Sequence, residues 1–198
     1  MALVDRIIWE ELHIHRGDTL PFSGAPWKTD THRGNIVEIF KKCEFKLGAE
    51  IGVETGKFSR LMAKYIPDVK IICVDPWKAY NHNSQAKEDR IYEAAMNLLD
   101  GCNVEVMRMT SVEAAKIVPD NSLDFVYIDG LHFFDSVMVD IILWSQKVRQ
   151  GGIVSGHDYV PYYQFGVIQA VNAYTQAHGI CNWYITCEKV PSFLWVKP

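Results

Sequence analysis

Two short segments in the second half of the chain concentrate the groups best suited to chemistry. They are Tyr127-Ile128-Asp129-Gly130-Leu131-His132 and Gly156-His157-Asp158-Tyr159, which hold two carboxylates and two imidazoles. Each follows an apolar run, residues 123–129 and 153–155, that reads as a buried strand. Ligands of an open parallel sheet bind outside the carboxyl ends of its strands. Asp129, His132, His157 and Asp158 therefore belong to one end of the sheet. Carboxylates with a histidine can hold a divalent cation, and Asp129, Asp158 and His157 are the candidate ligands for magnesium or manganese. Such an ion acidifies and orients a substrate hydroxyl. His132 or His157, beside Asp129, can equally act as a general base near neutral pH. A plainer role as caps and hydrogen-bonded loop residues also fits, so these alternatives stand open.

The first half of the chain offers a second set. The strand expected over residues 45–53 leaves through Glu50-Ile51-Gly52-Val53-Glu54-Thr55-Gly56. Glycines there let a backbone approach a ligand closely. The spacing is Gly-x-x-x-Gly, whereas a pyrophosphate cradle wants Gly-x-Gly-x-x-Gly. The looser turn suits a ligand with an amino-acid tail and no phosphates, and also suits a simple strand-to-helix turn. Asp75 closes the next apolar run, residues 69–75, where a carboxylate can accept from both ribose hydroxyls of a nucleoside. Ser111 follows the third run, 104–109, where it can meet an adenine edge or cap a helix together with Glu113.

These residues need a scaffold, and the pattern between them supplies one. Short apolar runs alternate with helical stretches, the signature of βαβ units and a mostly parallel sheet. Helices are expected over residues 5–15, from a Thr31 cap through Phe40, around Phe58, Leu61, Met62 and Tyr65, and over 89–99, 111–117, 137–148 and 166–178. Residues 17–26 and 76–87 read as loops, and Gly151-Gly152 as a helix terminator. Residues 183–187 and 193–196 are expected to be antiparallel closing strands. The fold class is α/β and doubly wound. Residues 1–44 form a helical or lid segment and residues 45–198 the ligand-binding domain.

Composition narrows the partners. The 198 residues are 48% hydrophobic and 22% charged, with a formal net charge of −4. No basic excess marks a nucleic-acid surface, so a small-molecule acceptor is expected. No run of about eighteen apolar residues is present, so no membrane span is expected. The amino-terminal stretch lacks the basic start and apolar block of a secretory signal. Five cysteines with no Cys-x-x-Cys point to reduced thiols and a cytoplasmic protein, with Cys73 a small buried hydrophobe. A homo-oligomer is left open. His13 and His15 form a weaker candidate metal pair. Trp27, Trp77, Tyr80, Phe133, Phe134, Tyr159, Tyr162 and Tyr163 can line an acceptor pocket or pack in the core.

Taken in order, Ala49-Glu50-Ile51-Gly52-Val53-Glu54-Thr55-Gly56, Val74-Asp75, Val126-Tyr127-Ile128-Asp129-Gly130 and Gly151-Gly152-Ile153-Val154-Ser155-Gly156-His157-Asp158-Tyr159 resemble class I S-adenosylmethionine-dependent methyltransferases. The nearest resemblance is to a small family marked by IDG-x-H and GHDY. It implies a Rossmann-like, seven-stranded, mostly parallel sheet whose C-terminal strand is antiparallel. It implies that Glu50, Gly52 and Gly56 flank the methionine part of the cofactor, with Asp129 bordering it, Asp75 on the ribose and Ser111 near adenine. Related metal-dependent O-methyltransferases carry an aspartate matching Asp129 and an acidic pair matching His157-Asp158. Here the first acid of that pair is a histidine, and Leu131 stands where some relatives carry an aspartate that acts as a base. The implied activity is methyl transfer to a hydroxyl of a small acceptor, with metal assistance as an option. A nicotinamide-dependent oxidoreductase is disfavoured by the glycine spacing. A nucleoside-binding protein without catalysis is the remaining alternative.

Overall fold

The computed structural model describes residues 3–14, 31–80, 83–162 and 164–198. Along them run α1 (Leu3–Glu11), α2 (Arg33–Lys42), β1 (Leu47–Ile51), α3 (Lys57–Tyr65), β2 (Lys70–Val74), α4 (Gln85–Leu99), β3 (Val104–Met107), α5 (Ser111–Ala115), β4 (Leu123–Ile128), α6 (Phe134–Lys147), β5 (Val148–Gly156), α7 (Val167–Ala177), β6 (Trp183–Ile185) and β7 (Phe193–Val196). The seven strands form one sheet in the order β3-β2-β1-β4-β5-β7-β6. β1 to β5 are mutually parallel, and β7 runs antiparallel to both β5 and β6. The doubly wound α/β expectation and its antiparallel C-terminal strand hold.

Strand alternation divides the core in two. Phe125 and Tyr127 of β4 face α1 to α4, where Ile8, Ile36, Phe40 and Met62 pack against them. Val126 and Ile128 face the opposite layer, where Ile141 and Trp144 of α6 and Ala170 of α7 pack. A strand covered on both faces needs apolar residues throughout, which explains continuous runs such as Ile71-Ile72-Cys73-Val74. Phe40 stacks on Phe125 with ring centroids 3.9 Å apart. Trp9 of α1 donates its indole N–H to the Tyr184 hydroxyl of β6 at 3.1 Å. Helices from the first 44 residues thus share the core of the sheet. After β3 the chain crosses back to β4 on the far side of β1, so the strand order reverses at the β1/β4 seam. Ligand sites of such sheets lie at that seam.

Several element boundaries differ from the sequence expectation. α1 ends at Glu11, and His15 lies outside the described residues, as does the loop expected over 17–26. α2 is capped by His32, whose Nδ1 accepts from Gly34 N at 3.0 Å, and Thr31 is committed elsewhere: its hydroxyl accepts from Cys187 N at 3.0 Å. α4 begins earlier than expected because Ser84 Oγ accepts from Lys87 N. Gly151 and Gly152 do not end a helix. They lie inside β5, at a register shift against β4, where Gly151 takes φ 74° and a Cβ on Gly152 would sit 2.4 Å from Asp124 O. Tyr65, expected on the buried face of α3, is 60% exposed. No described helix is long and apolar enough to cross a membrane. No disulfide joins any of the five cysteines.

Candidate functional site at the strand exits

The exit of β1 is built by close approach. Asp129 N donates to Ile51 O at 2.7 Å, and a Cβ on Gly52, at φ 87°, would lie 2.1 Å from Asp129 O. Glycine is needed there by the chain's own β4 exit, before any ligand is considered. The loop that follows is held by Asp75. Its Oδ2 accepts from Val53 N and Glu54 N, both at 2.9 Å, and its Oδ1 from Trp77 N at 2.8 Å. The buried Trp77 indole closes the loop by donating to Glu54 O at 2.9 Å. Gly56, at φ 77°, then turns the chain into α3. The expected ribose residue therefore also staples the expected glycine loop.

Glu50 lies near the end of β1, two residues before Gly52. Its side chain points into the α1–α4 layer, is buried, and accepts a hydrogen bond from Ser59 of α3, which also receives one from Cys73 Sγ at 3.1 Å. Burial pushes its carboxyl pKa up to about 8 against the opposing effect of the Ser59 bond, with the Asp129 charge adding to the rise. Ser111 is the first residue of α5, and its neighbour Thr110 is the cap, in a reciprocal box with Glu113. Ser111 Oγ donates to Asp140 and accepts from the Trp144 indole at 2.9 Å. Asp140 is a buried acid on α6 that the sequence reading missed. Burial raises its pKa to about 6, partly offset by Ser111.

The exits of β4 and β5 bring the acidic and imidazole groups together. Asp129, His132 and Asp158 each offer one donor atom within 4.8 Å of the others. His132 Nε2 lies 3.0 Å from Asp158 Oδ2 and 3.5 Å from Asp129 Oδ1. It is buried, and its N–H direction meets neither oxygen, so it makes no hydrogen bond. Burial alone would lower the His132 pKa, but the two carboxylates outweigh it and hold the ring at about 9. Burial would raise Asp158, but His132 and His157 hold it far below the usual carboxylate range. His157 was expected among the metal ligands. Its Nδ1 lies 3.1 Å from Asp158 Oδ2 and 3.9 Å from Asp129 Oδ1, outside the tightest group of three. Asp158 has φ 59°, in the left-handed region, and its Oδ2 faces both imidazoles.

An aromatic wall adjoins the cluster. Phe165, which the sequence reading did not single out, stands 4.6 Å from the His132 ring and 5.6 Å from Tyr162. Its position follows from Gly166, whose N–H donates to His132 O at 2.7 Å. Tyr80, Phe133, Phe134 and Tyr162 are exposed, consistent with a pocket rim, whereas Trp77 is core and Tyr159 packs edge-on against Trp183. Trp27 and Tyr163 lie outside the described residues.

Comparison with known proteins follows the same segments. A family model described as a methyltransferase domain matches residues 49–159, more than half of the chain. An uncharacterized protein of Sinorhizobium fredii is 29% identical over 127 residues, covering 63% of this chain and 14% of that protein, so the chain spans only a small part of its relative's length. Among solved structures, an O-methyltransferase from Bacillus cereus in complex with SAH superposes with a TM-score of 0.64 at 10% identity, over 98% of this chain and 90% of that one. The O-methyltransferase TomG from Streptomyces achromogenes, in complex with SAM, gives a TM-score of 0.62 at 13% identity, over 98% and 89%. At these identities the structures speak for the fold.

Proposed function

The chain belongs to the methyltransferase-domain family, and on that premise we propose that it moves the methyl group of S-adenosylmethionine to a hydroxyl of a small-molecule acceptor at the β4 and β5 exits. The observation that carries this reading is the convergence of Asp129, His132 and Asp158 beside the β1/β4 seam. S-adenosylmethionine supplies a methyl already activated by its sulfonium charge, so much of the protein's work is positioning. The loop from Gly52 to Gly56 takes the methionyl part and Ser111 the adenine edge. A carboxylate offers about four lone-pair sites, and amides occupy three on Asp75. One remains for a ribose hydroxyl, and the second hydroxyl shares a site with an amide.

A hydroxyl acceptor must lose a proton. His132 Nε2 and His157 are the groups within reach of the cluster that can take it once neutral. The donor set also suits a divalent cation. A buried nitrogen with no hydrogen bond faces two carboxylates, and this mixture of nitrogen and oxygen favours manganese, iron or zinc over magnesium or calcium. Asp129, His132 and Asp158 would hold the ion, and His157 would orient Asp158. When bound, such an ion lowers the pKa of an acceptor hydroxyl.

The test is ligand-dependent stability. S-adenosylhomocysteine at about a hundred times its Kd should add about 2.7 kcal/mol, raising the melting temperature by roughly 5–10 °C for a chain of this size. NAD and NADP should leave it unchanged. A shift with NADP and none with S-adenosylhomocysteine overturns the reading.

A further inference from the structure

Arg33 is a cation that, among the described residues, has no ion-pair partner. It is the first residue of α2. Its backbone N–H is held by Glu188 Oε1 at 2.6 Å, and the preceding Thr31 is clamped by Cys187 N. The backbone there is braced by the β6–β7 turn, so the position of its Cα is set by the sheet. Its guanidinium lies over the Phe58 ring, 5.4 Å from the centroid. Phe58 is the second residue of α3, directly after the Gly56 turn, and its ring stands 4.3 Å from that of Tyr127 in β4. The charge therefore sits above the start of α3, at the β1 exit, on the rim of the candidate nucleoside loop.

Among the described residues no carboxylate pairs with this guanidinium. The Glu50 carboxyl is close enough to feel its charge, but it is turned to Ser59 and buried. The Phe58 ring lies beneath the guanidinium, and among the described residues the guanidinium N–H groups donate to no acceptor. A guanidinium edge matches a carboxylate through two parallel charge-assisted hydrogen bonds, a geometry that lysine cannot supply. The loop beneath it has the glycine spacing of a site for an amino-acid tail without phosphates.

We propose that Arg33 binds the α-carboxylate of the methionyl tail of the S-adenosyl ligand, an assignment that rests on the cofactor reading above. It makes α2, from the segment that precedes the sheet, a contributor to the cofactor site. It also makes Arg33 a specificity residue that separates amino-acid-bearing nucleosides from those without the tail.

The experiment compares two thioether nucleosides by calorimetry on the full chain: S-adenosylhomocysteine, and 5′-methylthioadenosine, which lacks the amino-acid tail. Arg33→Gln should weaken S-adenosylhomocysteine about tenfold to a hundredfold, the worth of hydrogen bonds to a charged group. It should leave 5′-methylthioadenosine within about twofold, since only the tail contact is lost. Arg33→Lys should fall between, keeping the charge and losing the fork. The side chain is exposed, so the urea midpoint of each variant should match the wild type. Equal weakening of both nucleosides would overturn the proposal, because Arg33 would then be shaping the loop. Unchanged S-adenosylhomocysteine affinity would overturn it too, and would leave the guanidinium to an acceptor anion. Failure of the underlying cofactor reading would appear in the wild type itself, as binding of neither nucleoside.

Discussion

Glu50 carries a carboxyl that the fold prefers protonated, and that preference has a sign. Its folded pKa is raised from 4.5 to about 8 by burial. Below pH 4.5 both folded and unfolded chains hold the proton, so Glu50 adds no pH dependence. As pH rises toward 8 the unfolded chain releases its proton while the folded one keeps it, and stability falls. His132, raised from 6.5 to about 9, acts in the same direction: its contribution is complete below pH 6.5 and is lost as pH climbs through 9. Asp158, lowered, contributes above its ordinary pKa of 3.8 and loses that contribution in acid. Asp140, raised from 3.8 to about 6, loses its contribution over that interval as well, so stability should peak at about pH 4 and decline toward pH 9. Glu50→Gln mimics the protonated carboxyl and can still accept from Ser59. It should match the wild type at about pH 4 and exceed it at pH 8 by roughly 3–5 kcal/mol, read as urea midpoints across pH. Parallel curves for the two proteins would show that Glu50 is ionised in the fold at neutral pH.

The loop between β1 and α3 is held by one side chain from the next strand. Three backbone amides, of Val53, Glu54 and Trp77, end on the Asp75 carboxylate. Asp75→Ala strips all three at once. It should lower stability by about 1–3 kcal/mol in urea denaturation without any nucleoside present, and weaken S-adenosylhomocysteine besides. If the ligand-free midpoint is unchanged, Asp75 is a ligand contact and not a staple. That double role was only half legible in the sequence. The placement of Asp75 at a strand exit follows from the apolar run before it; the inward turn of its oxygens depends on where Val53 and Glu54 aim their N–H groups, which no residue pattern reports. The strands themselves were readable because both faces are covered, leaving runs such as residues 71–74 uniformly apolar. Boundaries were less so. Thr31 and His32 are both able to cap, and the choice fell to His32 because the β6–β7 turn takes the Thr31 hydroxyl. Gly151-Gly152 reads as a helix end, yet the crowding against Asp124 O makes it a strand feature. Both His132 and His157 come within 4 Å of the two carboxylates; which ring nitrogen meets which oxygen depends on how the β4 and β5 exits fold back, beyond the reach of composition or spacing.

Across the whole molecule the exits fall into two halves. β1 to β3 present the nucleoside candidates, β4 and β5 the acid–imidazole cluster, and the halves meet where Gly52 abuts Asp129. Ligands held by separate residues should stabilise the native state almost additively. Two carboxylates around one imidazole leave a net negative site, so a divalent cation that binds only the folded chain should raise the melting temperature. Manganese should do so more than magnesium, because one donor is nitrogen. The shift should add to that of S-adenosylhomocysteine. Asp158→Asn removes one ligating charge while leaving the β1 exit untouched, so it should abolish most of the manganese shift and retain the nucleoside shift. Manganese and S-adenosylhomocysteine titrated singly and together, on wild type and Asp158→Asn, give the four melting temperatures needed. A wild type indifferent to manganese, or an Asp158→Asn protein that responds to it as the wild type does, would remove the ion from this site. The acceptor's proton would then pass to His132 or His157 alone. In that case His132→Ala and His157→Ala, assayed for methyl transfer in excess chelator, would separate the base from the residue that merely orients Asp158.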